Sequence, residues 1–184
     1  ITGASRGIGF GVAEAFARLG ADLHLISSGK TIHEAGKKLS ELTDVPIKTY
    51  QCDISDKHKV NEVLSQIETI DVLINNAGLE RPTPINSPDP QLIDDFERII
   101  NINVLGTFYV TRASVAKMSK GGSIIITSSI WGKTAVSEFS AYCSSKHANI
   151  GFMRSLSKEL GPQGIRVNAV CPGWVETEAA MKSL

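Results

Sequence analysis

Tyr142 and Lys146 stand four residues apart in Tyr-Cys-Ser-Ser-Lys. On a helix that spacing puts both side chains on one face, one turn from each other. An ammonium beside a phenol favours the phenolate, so the tyrosine pKa is expected to fall below its ordinary value of about 10. Such a tyrosine can exchange a proton with a bound oxygen, as general acid or general base. Taken alone, the pair is more readily read as two solvent-facing residues of one helix. Ser128 and Ser129 directly follow the apolar run 124–127. A hydroxyl at the carboxyl end of a strand can hold the same oxygen, although ordinary turn chemistry explains one of the two serines.

A second group of residues suits an anion. Thr2-Gly3-Ala4-Ser5-Arg6-Gly7-Ile8-Gly9 lies where a strand would end and a helix begin. Its glycines permit a tight turn and close backbone approach to a pyrophosphate, and free N–H groups with the helix dipole favour the charge. The next strand-like run ends in Ile26-Ser27-Ser28-Gly29-Lys30, without a carboxylate at its tip. A carboxylate there would bond both ribose hydroxyls of NAD and repel a 2′-phosphate. Its absence, with Arg6 and Lys30 as cations, favours NADP(H) over NAD(H). Surface solvation is the rival explanation for Lys30. Asn75-Asn76-Ala77-Gly78 closes another strand-like run, and a structural turn competes with a binding role there. Asn103 sits inside an apolar, helix-like stretch. An unpaired buried amide is costly, so it requires a specific partner, either a backbone carbonyl at a kink or a water.

These residues need a frame that brings them together. Apolar, strand-like runs occur at 23–26, 47–52, 72–74, 123–127 and 166–170, with helix-like stretches at about 8–18, 31–42, 56–68, 92–118 and 139–160. Short β-branched runs bounded by polar turns suit strands buried on both faces of a parallel sheet. Their alternation with helices predicts βαβ units and an open, doubly wound α/β fold. In the first helix the expected buried stripe is Val12, Ala15, Phe16 and Leu19. The stretch 82–90, rich in proline, reads as a loop rather than a linker. The 184 residues suffice for one buried domain and not two of ordinary size. Nineteen basic residues balance nineteen acidic ones, which gives no electrostatic case for a nucleic-acid partner. No apolar run is long enough for a membrane span. Cys52, Cys143 and Cys171 are too scattered for a metal site or a disulfide framework, and imply free thiols in the cytoplasm. The sequence begins at a turn without its feeding strand and ends in a helix-like stretch around Ala179–Leu184, so both ends are expected to be cut.

Taken together, TGASRGIG at 2–9, Cys52-Asp53-Ile54, NNAG at 75–78, Asn103-Val104-Leu105-Gly106, Ser129, YCSSK at 142–146 and Pro172-Gly173 resemble the short-chain dehydrogenase/reductase family, across essentially the whole chain. Each piece is weak alone; seven in the family's order are specific. The resemblance implies one Rossmann-type domain with a catalytic set of Asn103, Ser129, Tyr142 and Lys146. Asn103 would hold a water relaying protons to Lys146, and Ser129 would orient the substrate oxygen. Tyr142 would transfer the proton, while Lys146 would bind the nicotinamide ribose. Ser129 is preferred to Ser128 because the family's serine precedes its tyrosine by thirteen positions. The cofactor site implied comprises Gly3, Ser5, Arg6, Gly7, Ile8 and Gly9, with Ser27, Ser28 and Lys30 at the second strand. Asp53 and Ile54 would meet the adenine, Asn76, Ala77 and Gly78 the ribose, and Pro172, Gly173, Val175 and Thr177 the nicotinamide. Trp131 and Trp174 are candidate walls for a small carbonyl or alcohol substrate, with aromatic packing as the rival role. The resemblance also implies a homodimer or homotetramer built on the helices around 92–118 and 139–160. A nucleotide sensor or scaffold on the same fold is the rival function, and it would lack part of the catalytic set. A transient-cofactor epimerase or dehydratase would need a larger substrate domain.

Overall fold

In a computed structural model, residues 1–177 are described. The helix-like reading around residue 179 lies outside them. Strands β1 (Leu23–Ser27) and β2 (Ile47–Gln51) pair in parallel, as do β3 (Val72–Asn75), β4 (Ser123–Thr127) and β5 (Arg166–Val170) in the order β3-β4-β5. Residues 1–3 join the two sets. Gly3 N–H donates to Ile26 O (2.8 Å), Ile26 N–H to Ile1 O (2.9 Å) and Thr2 N–H to Ile74 O (3.0 Å). The chain therefore winds outward in both directions from this central segment, as expected of a doubly wound sheet, and leaves a crevice at the carboxyl edge beside it.

The helices are α1 (Gly7–Arg18), α2 (Thr31–Ser40), α3 (Lys57–Ser65), α4 (Gln91–Ile100), α5 (Thr107–Val115) and α6 (Ser140–Leu160). The single long helix expected over 92–118 is divided. Residues Asn101–Gly106 form a π-helical segment between α4 and α5, a widened turn common at functional sites. Two buried clusters hold the layers together. Ala4, Ala13, Ala17, Leu25, Ile32 and Leu39 join α1 and α2 to β1. Ile54, Val60, Leu64, Val110, Ile124 and Ile126 join α3 and α5 to the central strands.

The buried face of α1 differs from the expected stripe. Its fully buried residues are Gly9, Ala13 and Ala17; of the expected residues Phe16 packs partly buried against the same cluster, while Leu19 is 83% exposed. Close approach selects small side chains, and a Cβ on Gly9 would lie 2.2 Å from Gly3 O. Packing distance overrides apolar size at this crossing.

Candidate active site

A cavity of about 650 Å³ opens at the carboxyl edge of the strands, where the two sheet halves diverge. Its walls include Gly3, Ser5, Arg6, Gly7, Ile8 and Gly9 from the glycine turn, with Ser27 and Ser28 from the end of β1. Asp53, Ile54, Asn76, Ala77 and Gly78 line it further along, followed by Ser129, Trp131, Tyr142 and Lys146, then Pro172, Gly173, Val175 and Thr177. The fold thus gathers all but two of the expected site residues around one space. Lys30 is exposed at the N-terminus of α2, between Gly29 and Thr31 of the cavity wall, and does not itself line the cavity. Asn103 is wholly buried behind the wall.

The glycine turn is shaped by backbone approach. Gly3 adopts φ +66, a conformation L side chains rarely adopt, and a Cβ there would lie 2.8 Å from Ala77 Cα. Thr2 Oγ1 accepts from the N–H groups of Asn76 and Ala77, both at 3.0 Å, and Asn76 Nδ2 donates to Thr2 O and Gly3 O. The Asn-Asn-Ala-Gly segment therefore braces the glycine turn, which favours the structural role weighed above for Asn76. No side chain caps α1, whose first N–H groups consequently face the cavity end without an internal partner. No carboxylate follows β1: Ser27 Oγ instead lies 3.1 Å from Ser5 Oγ. These features fit a nucleotide with a pyrophosphate, and Arg6, exposed on the cavity wall, fits a further phosphate.

At the other end, β4 delivers the two serines to different tasks. Ser128 Oγ donates to Lys146 O at 2.9 Å and is buried. Ser129 Oγ accepts from Trp131 N–H at 3.2 Å and acts on the Tyr142 phenol, lowering its pKa. Ser128 is thus committed to a backbone carbonyl of α6, while Ser129 lines the cavity with Tyr142. Lys146 Nζ lies 5.3 Å from the centroid of the Tyr142 ring and donates to Thr127 O at 2.9 Å.

The expected fall in the tyrosine pKa does not occur in this state. Burial, reinforced by the nearby charge of Glu80, pushes the Tyr142 phenol up to about 12, and the Ser129 hydrogen bond only partly offsets this. Lys146 sits over the ring with its bond aimed at Thr127, which is why proximity in sequence does not become stabilisation of a phenolate. Burial in turn lowers the Lys146 ammonium to about 8.

Asn103 has the specific partners its burial required. Its Oδ1 accepts from Leu79 N–H (2.7 Å), and Nδ2 donates to Leu79 O and Ser145 Oγ, both at 2.9 Å. Both amide hydrogens are thereby engaged by protein rather than by a water, and the residue clamps the segment after Gly78 to α6. Glu80, on that clamped segment, also lines the cavity with Arg81 and Arg98. Nothing in residue spacing marked these three; Glu80 is followed by a proline-rich loop and reads as surface charge. Trp131 packs at right angles against Tyr142 (6.0 Å between centroids) and Trp174 (5.9 Å), and more obliquely against Phe139. Both tryptophans form cavity wall, although Trp174 remains 61% exposed. Among the described residues no cluster of metal-ligating side chains occurs, and no helix is long and apolar enough to cross a membrane.

Comparison with known proteins gives a consistent picture. The family described as short chain dehydrogenase matches residues 1–184. Sorbose reductase of Candida albicans is 36% identical over 188 aligned residues, covering 98% of this chain and 66% of the relative. A 3-oxoacyl-acyl-carrier-protein reductase of Chlamydia trachomatis is 34% identical, over 97% of this chain and 73% of the relative. The chain therefore spans roughly two thirds to three quarters of the length of these relatives. Among solved structures, a short chain dehydrogenase from Burkholderia cenocepacia in complex with NADP superposes with TM-score 0.88 at 30% identity, over 97% of this chain and 74% of that one. A blue fluorescent protein from a metagenomic library in complex with NADPH gives TM-score 0.89 at 32% identity, with the same coverage.

Proposed function

The chain belongs to the short chain dehydrogenase family, and from that premise we propose that it is an NADP(H)-dependent oxidoreductase interconverting a carbonyl and a secondary alcohol, with Tyr142 moving the proton. The observation that carries the reading is the single cavity shared by the glycine turn, Ser129, Tyr142 and Lys146. In this reading the 184 residues are one nucleotide-binding and catalytic unit.

Gly3 and Gly9 let the turn pack against Ala77 and on itself, so that the uncapped N–H groups from Gly7 onward at the start of α1 take a pyrophosphate, Arg6 takes a 2′-phosphate, and Asp53 and Ile54 border the adenine. Pro172, Gly173, Val175 and Thr177 border the nicotinamide, which when bound supplies or accepts the hydride. Ser129 holds the substrate oxygen against the Tyr142 hydroxyl. With its pKa near 12, that hydroxyl carries its proton at neutral pH and is ready to act as general acid, the role reduction requires. Ionising it at pH 7 would cost roughly 7 kcal/mol, so oxidation needs added positive charge beside the ring. Lys146, whose pKa near 8 leaves it mainly protonated at neutral pH, supplies part of that charge if its bond to Thr127 O is exchanged for one toward the ligand. Asn103 acts as a positioning residue through Leu79 and Ser145.

The reading extends to assembly and place. Ile93, Phe96, Leu105 and Phe108 are exposed apolar side chains along α4, the π segment and α5, and they suit a homodimer or homotetramer interface. Cys52, Cys143 and Cys171 are free thiols, compatible with a reducing cytoplasm.

The test is a panel of ketones offered with NADPH and with NADH, followed by loss of the reduced-nicotinamide absorbance. NADPH-dependent turnover is expected, and Tyr142→Phe should abolish it while leaving NADPH binding within about threefold. Nucleotide binding without turnover of any ketone would instead support a sensor.

A further inference from the structure

Helix α6 carries both Tyr142 and Lys146 but does not cap its own start. Phe139 stands at the N-cap position and offers the first N–H groups no side-chain acceptor, so those that are buried need a partner from elsewhere. Thr83 is that partner. Its Oγ1 accepts from Ala141 N–H at 3.0 Å across a separation of 58 residues, and its carbonyl accepts from Ser140 Oγ at 2.9 Å. Ser140 Oγ also lies 3.0 Å from the Thr83 hydroxyl and can take its proton. Thr83 is 1% exposed and Ala141 is wholly buried, so water does not compete for these bonds. The hydroxyl serves as a helix cap, delivered by a distant loop.

That loop is itself held rigid. Pro82 and Pro84 flank Thr83, and each fixes its own φ. Leu79, earlier in the same loop, exchanges two bonds with Asn103, which also donates to Ser145 Oγ on α6. The segment 79–83 is thus stapled to α6 at Ser140 and Ala141 and, through Asn103, at Ser145. Tyr142 lies between the two staples. Thr83 also fixes the chain as it enters α6. Among the described residues Glu138 is the one non-glycine residue with positive φ, at 68, a conformation that persists only where the surroundings impose it. Its carbonyl accepts from Thr83 N–H. Phe139, paired with Thr83 in a parallel bridge, packs 5.3 Å from Trp131, whose ring in turn meets Tyr142 at 6.0 Å.

The geometry points to Thr83 as a positioning residue that sets Tyr142 against Ser129 by capping α6 from the loop after Gly78. This rests on the oxidoreductase reading above. Thr83 does not line the cavity, so its hydroxyl acts on the reaction only through α6. A proton donor must lie within hydrogen-bond reach of the atom it serves, and a displacement of about 1 Å costs up to roughly 100-fold in rate. Without the cap, Ala141 N–H and Ser140 Oγ lose buried partners, and the first turn must open to water to satisfy them. Opening would also relieve the burial that pushes the Tyr142 phenol up to about 12.

The test compares Thr83→Val, which keeps the branched shape and removes the hydroxyl, with Thr83→Ser, which keeps the hydroxyl. Thr83→Ala removes the same hydroxyl and stands in if the valine variant fails to fold. Each is assayed at saturating NADPH with the ketone turned over fastest in the panel above. In Thr83→Val, kcat should fall about 10- to 100-fold while the ketone KM and NADPH binding stay within about threefold, the pattern of a loss felt only in the transition state. Thr83→Ser should recover most of kcat. A second measurement needs no turnover: the 13C ring signal of Tyr142, assigned by its absence in Tyr142→Phe. At about pH 10.5 it should remain un-ionised in the unaltered protein and Thr83→Ser, and be partly ionised in Thr83→Val as its pKa relaxes toward about 10. An unchanged kcat overturns the proposal, as does a parallel loss of NADPH binding or a Thr83→Ser variant as impaired as Thr83→Val. A Tyr142 signal that titrates alike in all variants overturns it too. If the unaltered protein turns over no ketone, the oxidoreductase reading falls, and the Tyr142 titration alone decides whether Thr83 sets that residue.

Discussion

At the residue scale, the site's chemistry is governed by burial more than by the spacing that announces it. Tyr142 and Lys146 were legible as a pair because four residues is one helical turn, and α6 delivers them as expected. What the spacing could not convey is that both groups leave water, which opposes ionisation of each. Lys146 gives this a measurable form. Its ammonium loses its proton near pH 8 in the folded chain and near 10.4 when unfolded. Below pH 8 both states are protonated and the cost of burying the charge is fully present. Between pH 8 and 10 the unfolded chain binds more protons, so this group makes stability rise with pH. The difference between the unaltered protein and Lys146→Met in denaturant unfolding should therefore shift by about 2 to 3 kcal/mol in favour of the unaltered protein from pH 7.5 to pH 10. A constant difference would show that the ammonium is solvated in the fold. Tyr142 shifts in the opposite sense, losing stability only above pH 10, and is common to both proteins. Glu80 was illegible for a related reason: a lone acid in a polar loop is marked only by what lies around it.

At the level of elements, strands were easier to read than helix faces. The five β-branched or apolar runs became β1 to β5 within a residue at each end, because β-branched and aromatic residues bounded by polar turns favour extended backbone. Burial on both faces is not general: β1, β3 and β4 are largely buried, while β2 and β5 carry exposed Lys48 and Asn168. The face of α1 was misread in part because periodicity counts large apolar residues: Phe16 packs on the core as expected, but the fully buried positions are the small Gly9, Ala13 and Ala17, and Gly9 lies against Gly3 O. Two glycines of this helix make the point testable. A methyl on Gly9 would meet Gly3 O and Asn76 Nδ2 at 2.2 and 2.5 Å, while one on Gly11 meets nothing within 4 Å. Gly9→Ala should cost about 1–3 kcal/mol in unfolding and weaken NADPH binding, since the turn must yield. Gly11→Ala should stabilise by about 0.5–1 kcal/mol through helix propensity and leave binding unchanged. Equal behaviour of the two in thermal melting would refute the close crossing. The π segment was hidden for another reason. Asn-Ile-Asn-Val-Leu-Gly continues a helical pattern, and only the pairing of Asn103 with Leu79 and Ser145, distant in sequence, shows why the turn widens there.

For the molecule as a whole, balanced charge sets how a nucleotide phosphate can be chosen. Nineteen cations against nineteen anions leave no net field to draw a polyanion in, so selection for a 2′-phosphate must come from local placement. The fold puts the end of β1 opposite the glycine turn, and this juxtaposition brings Arg6, Ser27 and Ser28 to one stretch of cavity wall without a carboxylate at the strand's end. Lys30, which sequence proximity made a partner of Arg6, begins α2 instead and is not part of that wall. In the proposed reading the cationic contribution falls chiefly on the exposed Arg6 guanidinium, a group able to fork onto phosphate oxygens. Arg6→Ala is accordingly expected to weaken NADPH binding about 10- to 100-fold, the range of a charge-assisted hydrogen-bond pair, and NADH binding by less than about threefold. Because the contact is exposed, added salt should erode NADPH affinity in the unaltered protein and do so far less in Arg6→Ala. Calorimetric titration of both nucleotides at two ionic strengths reads all of these together. Equal losses for NADPH and NADH would mean that Arg6 only supports the turn, and that the serines at the end of β1 make the choice.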